Sequence, residues 1–520
     1  MTGKRKTIAI IGCGPKGLYA LDSLSQVGRN NPASQIDLHI FEASPHPGAG
    51  PIYDPSQPDI LLMNFPARMI DAWTDGRGPD FLKWSHSNGS SVAADDYVPR
   101  SNVGAYLGWC FKKVVENAPA NINLTLHTTS VTSLRQKQDG WIVTPSGIVV
   151  DEVLVSTGHQ DWLRENSADS AITVSSPYPI SKTLTPASVR AGAIVACRGF
   201  ALTFIDMMLA LTEGRGGVFT EIDKGHSYQP SGQEPALIAP FSRSGRPMRA
   251  KVSQTQFTPP RDVEFWTEQL DGFQMVLGDP RVDLFSEHIW TKLLSIADKL
   301  QGASGGAARE FFDDWTATPF DAHRCRDALR LGYDIASGRI APDIGWALAE
   351  TWRRCYPQLI RWISYRELCQ HDAALFLEVA AEMERLAFGP PAQNVGKLIC
   401  LEEAGLISFD HLTNPPNADV IIDATIPSAG AAALSEPLAG LLRDGHVSVG
   451  ALGGLRINAD GQSLCNNGVT AGLSIIGRAT EGCVLGNDTL SRLLHDLPER
   501  WAKQVLRSTA AQNTGLEAAT

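Results

Sequence analysis

Three glycines, Gly12, Gly14 and Gly17, stand at the spacing that lets a backbone turn sharply and approach a pyrophosphate. The apolar run Ile8 to Ile11 precedes them and a helix-like run, Leu18 to Leu24, follows, which reads as strand, tight turn, helix. At such a helix start the unpaired backbone N–H groups point outward and favour phosphate. A second apolar strand, Ile36 to Phe41, ends in Glu42. An acidic residue roughly 20–25 positions past the glycines is where a ribose hydroxyl finds its acceptor. With both flanks in place, the pattern predicts a dinucleotide site rather than an ordinary β-α-β unit with a glycine turn.

The elements that must hold these residues fall into five blocks, and together they predict an α/β protein: two dinucleotide-binding, Rossmann-like domains with a helical insert. Residues 1–165 read as the first part of the FAD-binding domain. Pro15 inside the turn gives the variant GxGPxG, common where the nucleotide is FAD. This block closes on the strand Glu152 to Val155 and the turn at Thr157 and Gly158, which either resembles the cofactor-side turn of flavoproteins with two nucleotide-binding domains or is an ordinary strand end; His159 beside it is either a cofactor ligand or a structural histidine. Residues 166–255 read as an NAD(P)-binding-like domain with a degraded fingerprint. Gly199 and Ala201 match the first two glycines, but Phe204 stands at the third, where a large side chain pushes a helix off its strand. A loosely held nicotinamide dinucleotide and a fold kept without its ligand both remain open. Arg243 and Arg246 follow the strand Ala236 to Ala239, where arginines either pair the 2′-phosphate of NADPH or form a solvated turn.

Residues 256–400 show apolar residues near helical spacing over Ile289 to Leu300, Ile344 to Trp352 and Ala373 to Phe388, and form the helical insert or substrate region. It holds Trp266, Trp290, Trp315, Trp346, Trp352 and Trp362, with Arg353, Arg354, Arg361 and Arg366 close together. Tryptophans at this spacing are more often core, and the arginines more often surface partners, than substrate contacts. Residues 401–500 return to strands and to the FAD-binding domain; Asp419 to Thr425 is an apolar strand, and Asp460-Gly461 marks a hairpin turn. Residues 501–520 read as a small, polar tail.

Composition bounds the chemistry. The 520 residues carry a net charge of −11, which argues against nucleic acid as a main partner. No apolar run reaches the roughly 18 residues of a membrane span, and the run after Lys4, Arg5 and Lys6 is too short for a signal peptide. Nine scattered cysteines without a C-x-x-C pair fit reduced thiols in a cytoplasm. Histidine spacing suggests no metal site. There is no G-x-S-x-G elbow and no phosphate loop of the G-x-x-x-x-G-K type.

Several blocks along the chain carry a resemblance. Leu61-Leu62-Met63-Asn64, Gly78-Pro79-Asp80-Phe81-Leu82-Lys83-Trp84, Val98-Pro99-Arg100 with Gly104-Ala105-Tyr106-Leu107, Arg385 to Pro391 and Asp488 to Arg492 resemble the FAD/NAD(P)-binding proteins allied to N-hydroxylating and Baeyer–Villiger flavin monooxygenases. Leu211 to Gly217 belongs with them. The run Leu473 to Gly482 resembles the last strand of a flavin domain, although Arg478 stands where many such proteins carry an acid. The resemblance implies FAD held by Gly12, Gly14, Gly17 and Glu42, with Met63 and Asn64 near the flavin ring. It implies a monooxygenase in which NADH or NADPH supplies electrons and O₂ supplies the oxygen for a small nitrogen-containing substrate. Within this family the FAD-dependent urate hydroxylase type is the first expectation, a role in purine metabolism. An amino-acid N-hydroxylase and a flavin-bound sensor without turnover are the alternatives.

Overall fold

The computed structural model describes residues 5–138, 140–158, 173–223, 225–252, 263–278, 285–426 and 429–517. Four parallel strands form the heart of the first sheet: β1 (Lys6–Ile11), β2 (Ile36–Phe41), β3 (Ile122–His127) and β4 (Glu152–Val155). β1 lies between β2 and β4, with Ile10 opposite Ile40 on one side and Leu154 on the other. Strands with helices on their faces are apolar throughout, and Ile8, Ala9, Ile10, Val153 and Leu154 have no accessible surface. α1 (Pro15–Asn30) connects β1 to β2 and buries Leu18, Leu21 and Leu24 at helical spacing.

A second, smaller parallel sheet contains β5 (Ile194–Arg198), followed by α2 (Leu202–Leu211), and β6 (Leu237–Phe241). Its third strand is β7 (Val420–Asp423), which pairs with the other side of β5. The block 401–500 therefore does not return whole to the first domain. Its opening strand completes the second sheet by pairing with β5. The crossing is then made, and β8 (Gln462–Cys465) and β9 (Gly468–Ile475) finish the first sheet, β9 parallel to β4. Two Rossmann-like halves are thus interleaved in sequence.

The helical region between β6 and β7 includes α3 (Ile344–Ile363) and α4 (Gln370–Ala387). It has no core of its own. Its six tryptophans, from Trp266 to Trp362, are buried in the same apolar cluster as Val195, Phe204 and Ile422 of the second sheet. They are core residues, the more ordinary of their two readings. Phe204 is fully buried and packs edge-on against Phe200 at 5.2 Å, so the large side chain at the third fingerprint position anchors α2 to this shared core.

The chain's end differs from the expected tail. α5 (Leu497–Glu517) is continuous and packs on α1. Trp501, Ala502, Val505 and Leu506 repeat at one helical face and are buried. That four-residue period is present in the sequence and outweighs the polar composition around it. Among the described residues no helix is long and apolar enough to cross a membrane.

Candidate active site

A cleft of about 470 Å³ opens at the carboxyl ends of β1, β2, β4 and β9, where an open parallel sheet accepts ligands. Each wall has a physical cause. Gly12 has φ +82°, and a Cβ there would sit 2.8 Å from the Ser156 carbonyl oxygen. A Cβ on Gly17 would lie 2.3 Å from the Gly12 carbonyl oxygen, so α1 can begin this close to the strand only with glycine. Gly14, by contrast, lines the cleft, and a Cβ there would meet only the Gly50 Cα at an ordinary contact distance of 3.7 Å. α1 starts with Pro15 in its first turn, and no side chain caps its N-terminus. Its first N–H groups and the positive end of its dipole are therefore directed at the cleft.

Glu42 sits at the end of β2 and is mostly buried. One carboxylate oxygen accepts from the Cys13 amide at 2.6 Å and the other from the Ser44 amide at 2.8 Å. Each oxygen keeps a lone pair toward the cleft, which Glu42 lines. Thr157 and Gly158 close the cleft beyond β4. The glycine turn, Pro15, Glu42, Thr157 and Gly158 are thus brought to one place, whereas Gly17 acts behind it as a spacer.

The other expected site residues lie elsewhere. Met63 is buried in the core of the first domain, its amide bonded to the Val98 carbonyl. Asn64 reaches the helical region: its side-chain amide donates to the Phe388 carbonyl at 3.4 Å, and its own carbonyl accepts from the Lys251 amine at 2.7 Å. Gly199, with φ +113°, makes the turn between β5 and α2, pressed against Ala424. Arg243 is exposed past the end of β6 with no ion pair among the described residues, whereas Arg246 is buried and committed to Glu382 at 2.9 Å. That commitment removes Arg246 from the pair expected to meet a phosphate. His159 lies outside the described residues. In the helical region Arg353 and Arg354 both pair with Glu350, so neither is an unclaimed cation.

Several cleft residues carry no recognisable motif. Lys16 lines the cleft; burial lowers its amine to about 8, against the pull of Asp488 and Glu481. Burial likewise pushes the Tyr53 phenol up to about 12. Arg478, which stands where an acid was expected, is paired at 3.0 Å with Asp488. The carboxylate at this strand end is therefore supplied from ten residues further on, a substitution visible only in three dimensions. Glu481 anchors that loop by accepting from the amides of Gly486 and Asn487 at 2.8 and 2.7 Å; burial and then Asp488 raise its pKa.

The donor set fits a flavin dinucleotide: bare peptide nitrogens and Gly14 for the pyrophosphate, Glu42 for the ribose, and a cleft long enough to continue toward Tyr53 and Asp488. Comparison with known proteins agrees. Residues 9–160 match the family model described as FAD-NAD(P)-binding. The chain therefore carries an FAD- and NAD(P)-binding region in its first third. It is 30% identical over 314 residues to a nitrosuccinic acid synthase of Aspergillus oryzae, 54% of this chain and 47% of that protein. It is also 30% identical over 302 residues to an L-aspartate N-monooxygenase (nitrosuccinate-forming) of Streptomyces davaonensis, 48% of this chain and 45% of that protein. The matches thus span a little under half the length of these relatives. Among solved structures, L-lysine 6-monooxygenase from Pseudomonas syringae aligns over 97% of this chain and 99% of its own, at 12% identity and a TM-score of 0.49.

Proposed function

We propose that this chain is an FAD-dependent, NAD(P)H-consuming monooxygenase that oxygenates the amine of a small amino acid, with L-aspartate the first candidate. The observation that carries this reading is the cleft at the first sheet's carboxyl edge, where an uncapped helix start and Glu42 converge. Its substrate half is supported by the relatives, two of which act on aspartate by name or form nitrosuccinate. Urate, the first expectation from the sequence, has no support among them, and the amino-acid alternative takes its place.

Bound flavin supplies the redox chemistry that activates O₂, and the protein's residues position the reactants. The balance for one turnover is R–NH₂ + O₂ + NAD(P)H + H⁺ giving R–NHOH + H₂O + NAD(P)⁺. Gly12, Gly14 and the start of α1 hold the pyrophosphate, and Glu42 holds the ribose. The helical region, joined to the first domain through the bond from Asn64 to the Phe388 carbonyl, is the part of the chain proposed to keep bulk water from the reacting end. Gly199 and the exposed Arg243 are the groups proposed to meet the nicotinamide dinucleotide.

The test is direct. Purified protein is expected to show flavin absorbance, and L-aspartate is expected to accelerate NAD(P)H oxidation and yield an N-oxygenated product by mass spectrometry. Colourless protein that cannot be reconstituted with FAD overturns the cofactor reading. Acceleration by urate instead of aspartate overturns the substrate reading.

A further inference from the structure

The cleft at the carboxyl edge of the first sheet carries more negative side chains than positive ones. Among the described residues its carboxylates are Glu42, Glu436 and Asp488, and its cations are Lys16 and Arg478. All of these but Lys16 have a partner within the protein. Glu42 accepts from two amides, Glu436 pairs with Arg443 at 3.1 Å, and Arg478 pairs with Asp488 at 3.0 Å. The Lys16 amine makes no hydrogen bond among the described residues and no ion pair within 4.0 Å.

The position of Lys16 makes that freedom unfavourable. It is the second residue of α1, a helix that starts with no side-chain cap. A cation in the first turn meets the positive end of the helix dipole, where an anion is favoured instead. Cα–Cβ bonds in a helix tilt toward its N-terminus, so a long side chain this near the start leans toward the place where a phosphate would rest. Its stem lies over the turn after β9: a Cβ on Gly477 would stand 3.5 Å from the Lys16 Cγ and 3.9 Å from its Cβ. The stem therefore bridges two walls of the cleft, the start of α1 and the end of β9. A partly buried ammonium that is unpaired and opposed by the dipole is destabilising unless a ligand completes it. The ligand that completes it is an anion lying across the start of α1.

We propose that the Lys16 ammonium binds the pyrophosphate of the dinucleotide and supplies the side-chain charge that the bare backbone of the glycine turn lacks. This assignment deepens the cofactor reading above and rests on it. Peptide N–H groups offer hydrogen bonds without a full charge. The two phosphates would bring negative charge into a cleft already lined by three carboxylates, and Arg478 is committed to one of those. A lysine meets phosphate as a point charge and needs no fixed fork geometry, which suits a flexible stem held only along its length. Protonation is consistent with this role. Burial lowers the Lys16 amine to about 8, against Asp488 and Glu481, and a bound phosphate raises it again. The charged or titratable groups facing it are Asp488, Glu481 and Arg478 on the segment after β9, His495 ahead of α5, and Glu42 and Tyr53 elsewhere on the cleft wall.

The test uses the full chain freed of flavin and two ligands, FAD and ADP-ribose, which has the same pyrophosphate diester and no flavin. Dissociation constants are measured for the wild type, Lys16→Met and Lys16→Arg, by fluorescence for FAD and by calorimetry for ADP-ribose. Lys16→Met is expected to weaken both ligands by a similar factor of about tenfold or more, the loss of a charge-assisted bond, with Lys16→Arg recovering much of it. The wild-type constant for FAD is expected to stay level below about pH 8 and to rise above it, because binding must then take up a proton. In Lys16→Arg it stays level through that range, since a guanidinium remains charged. Loss of FAD affinity alone, with ADP-ribose unchanged, moves the ammonium to the flavin end and overturns the assignment. Unchanged affinity for both ligands in Lys16→Met also overturns it, makes Lys16 a counter-ion of Asp488 and Glu481, and leaves the proposed function standing. Should Lys16→Met fail to fold, a wild-type FAD affinity identical at about pH 7 and about pH 9 overturns the assignment. A wild type that binds neither FAD nor ADP-ribose overturns the cofactor reading itself.

Discussion

At the scale of single residues, the site depends on where a side chain is forbidden as much as on where one is required. Gly17 never touches the cleft, yet it fixes how closely α1 approaches β1. Gly17→Ala places a methyl group 2.3 Å from the Gly12 carbonyl oxygen, which is held by the Ser156 hydroxyl. We expect FAD content to fall about tenfold or more with the fold retained, read from the visible absorbance of purified protein against its circular dichroism. Glu42 shows the complementary case. Its carboxylate is already engaged by two amides, so it stiffens the turn before any ribose arrives. The glycines and Glu42 were legible in the sequence because their function follows from local geometry along one β-α-β unit. The meeting of Asn64 with Lys251 and Phe388 was not, because nothing in the neighbours of these residues along the chain shows which distant segment each will touch.

At the scale of elements, the two halves are joined by a buried ionic contact. Arg100, at the start of the helix Arg100–Glu116 in the first domain, donates to both oxygens of Asp206 on α2, at 2.5 and 3.1 Å. The Tyr178 hydroxyl donates to the same carboxylate. Breaking a buried pair strands one charge, at a cost of about 3–5 kcal/mol. Asp206→Asn is therefore expected to lower the thermal midpoint clearly and to loosen the junction, the latter visible as faster amide exchange in both segments. Val98-Pro99-Arg100 was noticed in the sequence as part of a resemblance, and the ion pair supplies its physical reason. α5 provides a second test. Trp501 has no accessible surface, and Trp501→Ala removes a large buried ring from the packing on α1. A loss of about 3–5 kcal/mol is expected in denaturant unfolding, whereas a disordered tail predicts no change.

At the scale of the whole molecule, the arrangement is one of two open sheets, the first with the cleft at its carboxyl edge and the second with the helical region built onto it. Because that region shares a core with the second sheet, the two are expected to act as one body against the first domain. Arg243 belongs to this scale: it is exposed past β6, and its only use in the proposed function is to meet a nicotinamide dinucleotide that enters between the two halves. Arg243→Ala is expected to raise KM for NADPH about tenfold and leave KM for NADH unchanged, since only NADPH brings a 2′-phosphate for a guanidinium to bind. Equal KM values for NADPH in the variant and the wild type exclude Arg243 from that role.

The sequence by itself determined the first nucleotide fold, its glycine turn and the place of Glu42 at the end of the second strand, because these depend on steric rules and hydrophobic alternation within about 40 residues. It also contained, unread, the four-residue period that makes α5 a helix. Only the tertiary structure decided that Val420–Asp423 belongs to the second sheet, that Arg478 takes its acid from Asp488, and that Asn64 meets Lys251 and Phe388. Such meetings are set by which surfaces pack together over hundreds of residues, and the interactions that select them leave no spacing along the chain.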